Sequence, residues 1–307
     1  MNRVHILRSC WQDMILIESN GLYALIDTGT YEAADQIMAY LDQVGVKRLE
    51  FIFITHFHRD HYGSLPVLLS HYPVGAVYMK GFSGLNIADS AGRPADQAYN
   101  DSELRKFDEF AEKAREVSEF HLIDYEVDQV CVGDFRFRVF GITNAIRELY
   151  EDPASPYYQK ICFGENVNST ALFADVNGTT VYLGGDCGNS PLEVEKYSHQ
   201  NDQYAKEVGV PIDLYKVPHH CCGNLFSAET LSILKPRYAV ATNFRKSVEN
   251  QFSGNRDLLL DSNPGITLLC TDLCGYRFTL GPDGDVSYEE IDPWPADKEK
   301  PAWMLED

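Results

Sequence analysis

The stretch Leu49-Glu50-Phe51-Ile52-Phe53-Ile54-Thr55-His56-Phe57-His58-Arg59-Asp60-His61 runs from β-branched and aromatic residues straight into three histidines and an aspartate. It reads as a buried strand that stops where a loop of metal-binding side chains begins. Alternate residues of an extended chain share a face, so His56 and His58 can hold one cation, and a turn at Arg59 carries Asp60 and His61 toward a second. Imidazole nitrogen combined with carboxylate oxygen points to two divalent ions, zinc first, with manganese or iron next.

One loop does not complete two sites, so further donors are expected at other strand ends. Gly184-Gly185-Asp186 follows the apolar run 180–183, and the two glycines let the backbone come close enough for Asp186 to bridge both cations. Pro218-His219-His220 follows the run 214–217. One of these two histidines is expected as a ligand. His219 is favoured because it leaves the strand first, and His220 is kept with Asp60 and Asp186 as a catalytic group. Asp27, at the end of the run 23–26, is expected behind the histidines as an orienting acceptor.

Outward from the loop, runs 4–7, 14–17 and 23–26 predict an opening meander, and residues 31–44 have helical spacing that ends at Gly45. Residues 62–71 predict a short helix. The segment of about 81–125, with an amphipathic helix over 101–120, reads as an insertion or lid. Strands are expected at 129–132 and 135–140, followed by an irregular stretch over 143–164 whose Tyr150, Tyr157 and Tyr158 are candidates to line a pocket. A hairpin turns at Asn177-Gly178, residues 225–234 predict a helix, and strands close the fold at 238–242, 266–270 and 276–280. Two runs of strands, each finished by helices, predict an α/β (α+β) sandwich of four αββα layers in residues 1–280, with an acidic tail over 281–307.

Forty-six acidic against 26 basic residues give a formal charge of −20. Such a surface disfavours long nucleic acid and favours a small or locally docked substrate. No apolar run reaches membrane-spanning length and no secretory pattern opens the chain, so a cytoplasmic protein without a membrane partner is expected. Eight cysteines without a CxxC pair do not form a disulfide framework.

Asp27-Thr28-Gly29, His56-x-His58-x-Asp60-His61, Gly185-Asp186 and His219-His220, in that order, resemble the metallo-β-lactamase superfamily over roughly residues 4–280. Within it, the phrases beginning at Gln12-Asp13, Glu165-Asn166 and Lys216-Val217 look like the nuclease-like domain of bacterial DNA-uptake competence proteins and its free-standing relatives. The resemblance implies a dinuclear hydrolase. In most of the superfamily a third histidine precedes the bridging aspartate. None lies between His121 and Asp186, and Asn166 with Ser169 stands where this subgroup has a polar substitute.

The first cation would then keep His56, His58 and Asp186, with Asn166 or a water filling the shell. Cys221-Cys222-Gly223 replaces the usual glycine and serine, as a thiolate ligand or as a buried bystander. The expected activity is phosphoester hydrolysis, above all of a phosphodiester, by a metal-bridging hydroxide that Asp60 orients. His220, Lys216 and a pocket tyrosine are the candidate proton donors. The alternatives are a lactone, thioester or β-lactam hydrolase on the same site, and a non-catalytic metal-binding regulator.

Overall fold

The structure is a computed structural model that describes residues 1–83, 97–124, 127–159, 164–188, 199–223 and 225–295. The chain opens as the antiparallel meander β1 (Asn2–Ile6), β2 (Met14–Ser19) and β3 (Leu22–Thr28), then crosses through α1 (Ala34–Val44) to β4 (Leu49–Ile54). The short helices α2 (Arg59–Tyr62) and α3 (Leu65–His71) lead to β5 (Val74–Lys80), and α4 (Gln97–Val117) leads to β6 (Glu119–Ile123). Strands β7 (Gln129–Val132) and β8 (Phe135–Phe140), helix α5 (Ala145–Glu151) and strands β9 (Ala171–Val176) and β10 (Thr179–Leu183) follow. The remainder is α6 (Gln200–Val208), β11 (Leu214–Lys216), α7 (Ala228–Leu234), β12 (Tyr238–Ala241), α8 (Ser253–Ser262), β13 (Thr267–Cys270), β14 (Gly275–Leu280) and β15 (Val286–Ile291).

The strands form two sheets, in the orders β15-β14-β1-β2-β3-β4-β5-β6 and β13-β12-β11-β10-β9-β8-β7. Each contains a parallel block, β3 to β6 in the first and β10 to β13 in the second. Alternation along the strands explains how the sheets stack. In β8, Phe135, Phe137 and Val139 are buried and meet Val4, Ile15 and Phe53 of the facing sheet, while Arg136 and Arg138 point to solvent. In β2, Ile15 and Ile17 face the other sheet, whereas Met14 and Leu16 pack with α1 residues Ile37 and Leu41 on the outer side. A third cluster seats α6, α7 and α8 on the second sheet through Ala205, Leu231 and Leu259. The result is the αββα layering expected from the sequence.

Several elements differ from the sequence reading. β5, for which no strand is expected, is buried between β4 and β6. Helix α4 is the crossover between the parallel strands β5 and β6, and so is integral to the sheet; residues 84–96 of the expected lid lie outside the described residues. α5 forms inside the stretch read as irregular, capped by the Asn144 side chain on the Arg147 N–H. In the expected acidic tail, β15 pairs antiparallel with β14 as an edge strand; residues 296–307 lie outside the described residues. Among the described residues no helix is long and apolar enough to cross a membrane.

Candidate metal centre

All the expected ligands emerge at the carboxyl ends of the parallel strands, where loops from the two sheets meet. His56 and His58 leave β4 on one side of the chain, and Phe57 between them turns the opposite way. Its ring stacks on Tyr62 at 3.9 Å and touches Phe82, Phe107 and Phe110. Tyr62 donates a hydrogen bond to buried Glu103 of α4. Helix α4 therefore grips the histidine loop from behind through an aromatic cluster.

The arrangement of the second sheet's loop depends on two glycines. A side chain at Gly184 would strike the Pro218 ring at 2.5 Å; Gly185, at φ +51°, has Ser169 Oγ 2.7 Å from where its Cβ would be. This close approach brings Asp186 between two groups of donors. Asp60, His61, Asp186 and His220 form one group and His56, His58 and Asp186 the other, each with ligand atoms within 4.8 Å of one another. Asp186 Oδ1 lies 3.3 Å from His61 Nε2 and 3.7 Å from His220 Nε2, while its Oδ2 lies 3.6 Å from His56 Nε2.

The paired histidines are arranged differently from the sequence expectation, since His220 and not His219 lies in the four-residue group. The reason is backbone conformation. His219, His220 and Cys221 are all left-handed, at φ +45°, +51° and +69°, which sends successive side chains to different sides of the turn. His220 points inward, with Nε2 3.3 Å from Asp60 Oδ2, and His219 sits half-buried at the rim with Nε2 3.0 Å from Asn166 Nδ2.

Positioning contacts surround both groups. Asp27 Oδ2 accepts from His61 Nδ1 at 2.7 Å, and the carboxylate also accepts the N–H and hydroxyl of Thr55, each at 2.8 Å. Ser169 Oγ accepts the Asp186 N–H at 2.9 Å and lies 3.4 Å from His56 Nδ1, so it braces two ligands. Asp13 and Lys216 form a fully buried ion pair, and Lys216 also donates to the Gly185 carbonyl at 3.0 Å. Lys216 is thereby turned away from the centre and is not placed to protonate a leaving group. Tyr157 packs against α5 and Tyr158 is exposed. The Cys221 and Cys222 thiols are buried and lie in neither group; burial pushes the Cys221 pKa up to about 12. At the mouth, Trp11 is 36% exposed, with its ring 6.3 Å from that of His220 and 5.6 Å from that of Phe252.

Sequence reading quoted Asp13 only within a motif phrase and gave no role to Asp13, Thr55 or Thr242. The available signal was a charged or hydroxyl residue at the end of an otherwise apolar strand, which is costly to bury without a partner.

The electrostatics split the centre in two. Burial opposes charge on His61, but Asp186, Asp27 and Asp60 outweigh it and hold the imidazole well above its ordinary pKa. His220 behaves alike: Asp186 and Asp13 outweigh burial and push it up to about 9. Burial would raise Asp186, yet His61 and His220 hold it well below the carboxylate range. Desolvation lowers His56, His58 and His219, leaving them neutral near pH 7.

Among the described residues, His61 Nε2, Asp186 Oδ1 and Asn166 Oδ1 are buried without a hydrogen-bond partner. Unsatisfied buried polar atoms are costly. A divalent cation in each group would satisfy the imidazole and carboxylate atoms, so this donor set fits the metal pair the sequence implies.

Comparison with known proteins agrees with this architecture. Residues 12–136 match the family described as the metallo-beta-lactamase superfamily, a span that includes the histidine loop and Asp27. The metallo-beta-lactamase fold protein YhfI from Bacillus subtilis superposes with a TM-score of 0.50 at 12% identity, covering 94% of this chain and 100% of that one. The diiron β-hydroxylase CmlA from Streptomyces venezuelae gives a TM-score of 0.46 at 13% identity, over 87% of this chain and 52% of that chain. The metallo-β-lactamase MIM-1 from Novosphingobium pentaromativorans gives 0.39 at 15%, over 86% of each chain. At 12% identity the likeness to YhfI is one of fold.

Proposed function

From a metallo-β-lactamase fold carrying two donor groups joined at one carboxylate, we propose that the protein is a metal-dependent phosphodiesterase that takes a small phosphodiester in the cytoplasm. The observation that carries this reading is the inequality of the two groups around Asp186. Among the described residues, Asp60, His61, Asp186 and His220 make a set of four, whereas His56, His58 and Asp186 make a set of three beside Asn166 Oδ1, which has no hydrogen-bond partner there. A full set holds a cation firmly, and a short set leaves room for an oxygen of the substrate.

When bound, a pair of divalent cations, zinc above others, supplies Lewis acidity toward phosphoryl oxygens and lowers the pKa of water toward neutrality. The chain's own residues do the rest. Asp186 holds the two groups in register. Asp60, 27% exposed at the mouth, orients the attacking hydroxide as the new P–O bond forms; the ester P–O bond breaks and the leaving oxygen takes its proton from solvent. Asn166 and His219, neutral and at the rim, hydrogen-bond the phosphoryl group. A strong negative surface keeps long polyanions away and leaves a small diester as the favoured substrate.

The test is a substrate panel on the full chain supplied with zinc or manganese: bis(p-nitrophenyl) phosphate, nitrocefin, an acyl lactone and a thioester. Diester hydrolysis that an Asp60→Ala variant loses is the expected result. Turnover of the lactone, thioester or nitrocefin without the diester, or of nothing at all, would reject the reading.

A further inference from the structure

Asp13 touches the route to every member of the four-residue group. Its backbone N–H donates to the Asp60 carbonyl at 3.2 Å, and its Oδ2 lies 4.0 Å from His61 Nδ1. The same carboxylate pairs with Lys216, whose ammonium reaches the Gly185 carbonyl next to Asp186. Its Oδ1 accepts the Thr242 hydroxyl at 2.7 Å, and Thr242 Oγ1 lies 2.8 Å from His220 Nδ1. The Asp13, His61, Lys216, Thr242 and His220 side chains are buried.

The direction of that last chain follows from proton counting. An ionised carboxylate only accepts, so the single hydroxyl proton of Thr242 points to Asp13. The hydroxyl oxygen then has only lone pairs to offer His220, so Nδ1 carries the hydrogen. In the neutral ring this leaves the Nε2 lone pair facing Asp60 Oδ2 and Asp186 Oδ1, 3.3 and 3.7 Å away. The same device occurs on the other group, where His56 Nδ1 lies 3.2 Å from Thr55 Oγ1 and that hydroxyl donates to Asp27 Oδ2 at 2.8 Å. Each group thus has one histidine whose tautomer is set by a threonine interposed before an aspartate.

We infer that Asp13, Thr242 and Lys216 are positioning residues acting as one relay, which fixes the metal-binding tautomer of His220 and the placement of Asp186. Lys216 completes it by holding Asp13 and the Gly185 backbone together, so the relay also ties the β1–β2 loop of one sheet to β11 and β12 of the other. The inference rests on the reading that the four-residue group takes a divalent cation.

The experiment is a cobalt(II) titration of the full chain followed by visible absorption, with zinc competition. It compares wild type, Thr242→Val, Thr242→Ser, Asp13→Asn and the Thr242→Val/Asp13→Asn pair. The expected result is a 10- to 100-fold weaker cobalt affinity and a shifted absorption band for Thr242→Val. Recovery is expected in Thr242→Ser, and the double variant should be no worse than Asp13→Asn alone, because a relay is lost as a unit. A Thr242→Val protein with wild-type affinity and spectrum, or losses that add in the double variant, would overturn the relay. Should Thr242→Val fail to fold, Asp13→Asn decides by the same two readouts. Wild type that takes up no cobalt overturns the metal reading itself, a result distinct from either outcome for the variants.

Discussion

Asp27 Oδ2 lies 2.7 Å from His61 Nδ1, and the backbone that holds it there is left-handed, at φ +57°. Asparagine tolerates that conformation better than most residues, so Asp27→Asn separates the hydrogen bond from the backbone strain. With an amide at the end of the side chain, Thr55 and His61 can no longer both find an acceptor. Cation affinity is expected to fall by about 10- to 100-fold with unchanged circular dichroism. Asp27→Ala should add a loss of roughly 1–2 kcal/mol in denaturant unfolding, because alanine pays the left-handed cost without any local hydrogen bond. Equal metal affinity in wild type and Asp27→Asn would contradict the orienting role.

The left-handed turn assigns different work to adjacent histidines. His220→Ala is expected to lower the bound metal from two ions to one per chain, measured by elemental analysis. His219→Ala should keep both ions and lose roughly ten-fold in kcat/KM on a diester, about 1.4 kcal/mol of transition-state stabilisation. A reversed outcome would return the ligand role to His219.

Metal uptake should release protons. In the metal-free protein His220 holds its proton up to about pH 9 and His61 is raised well above its ordinary range, so both are charged at pH 7 and must deprotonate to ligate. Affinity is therefore expected to rise as pH climbs from 7 to 9, with proton release readable by calorimetry in buffers of different ionisation enthalpy. In folding stability the sign is opposite. The folded pKa of His220 exceeds its ordinary 6.5, so its contribution to the metal-free fold is full below pH 6.5 and is lost as pH rises through about 9. Metal affinity independent of pH over this range would contradict the charged state of the pair.

Lys80, at the end of β5, is fully buried and donates to the Thr143 carbonyl at 2.8 Å. Burial lowers its pKa from 10.5 to about 8 despite Asp124 and Glu165 nearby. Between those values the unfolded chain binds a proton that the folded chain has released, so this residue makes stability rise with pH, by about 3 kcal/mol in all. Below pH 8 the penalty is borne in full. Lys80→Met should remove the rise, seen as a difference between the two proteins in urea unfolding at pH 7.5 and 10.5. Parallel profiles would show that the ammonium is not desolvated.

The histidine loop is legible in sequence because four donors fall within six residues at the end of an apolar strand, and such spacing has few other uses. Asp27 and Asp186 are legible as carboxylates at strand ends. The assignment of His219 and His220 is not, since it is set by three successive left-handed residues that composition does not signal. Nor is Thr242, whose partner Asp13 is 229 positions away in the chain. Strand β5 escapes notice because both its faces are covered, which erases alternation, and Gly75 and Lys80 interrupt its apolar run. β15 hides behind exposed residues, with only Val286 and Ile291 buried at its ends.

Trp11 turns the mouth of the centre into an optical gauge. Its indole lies 6.3 Å from the ring of His220 and is held there by a backbone hydrogen bond of 2.9 Å to the Thr242 carbonyl. An open-shell ion such as cobalt(II) bound at His220 would drain its excited state at that range, whereas closed-shell zinc would not. The protein therefore carries a native fluorophore that reports which kind of ion sits beside it, and Trp11→Phe supplies the blank.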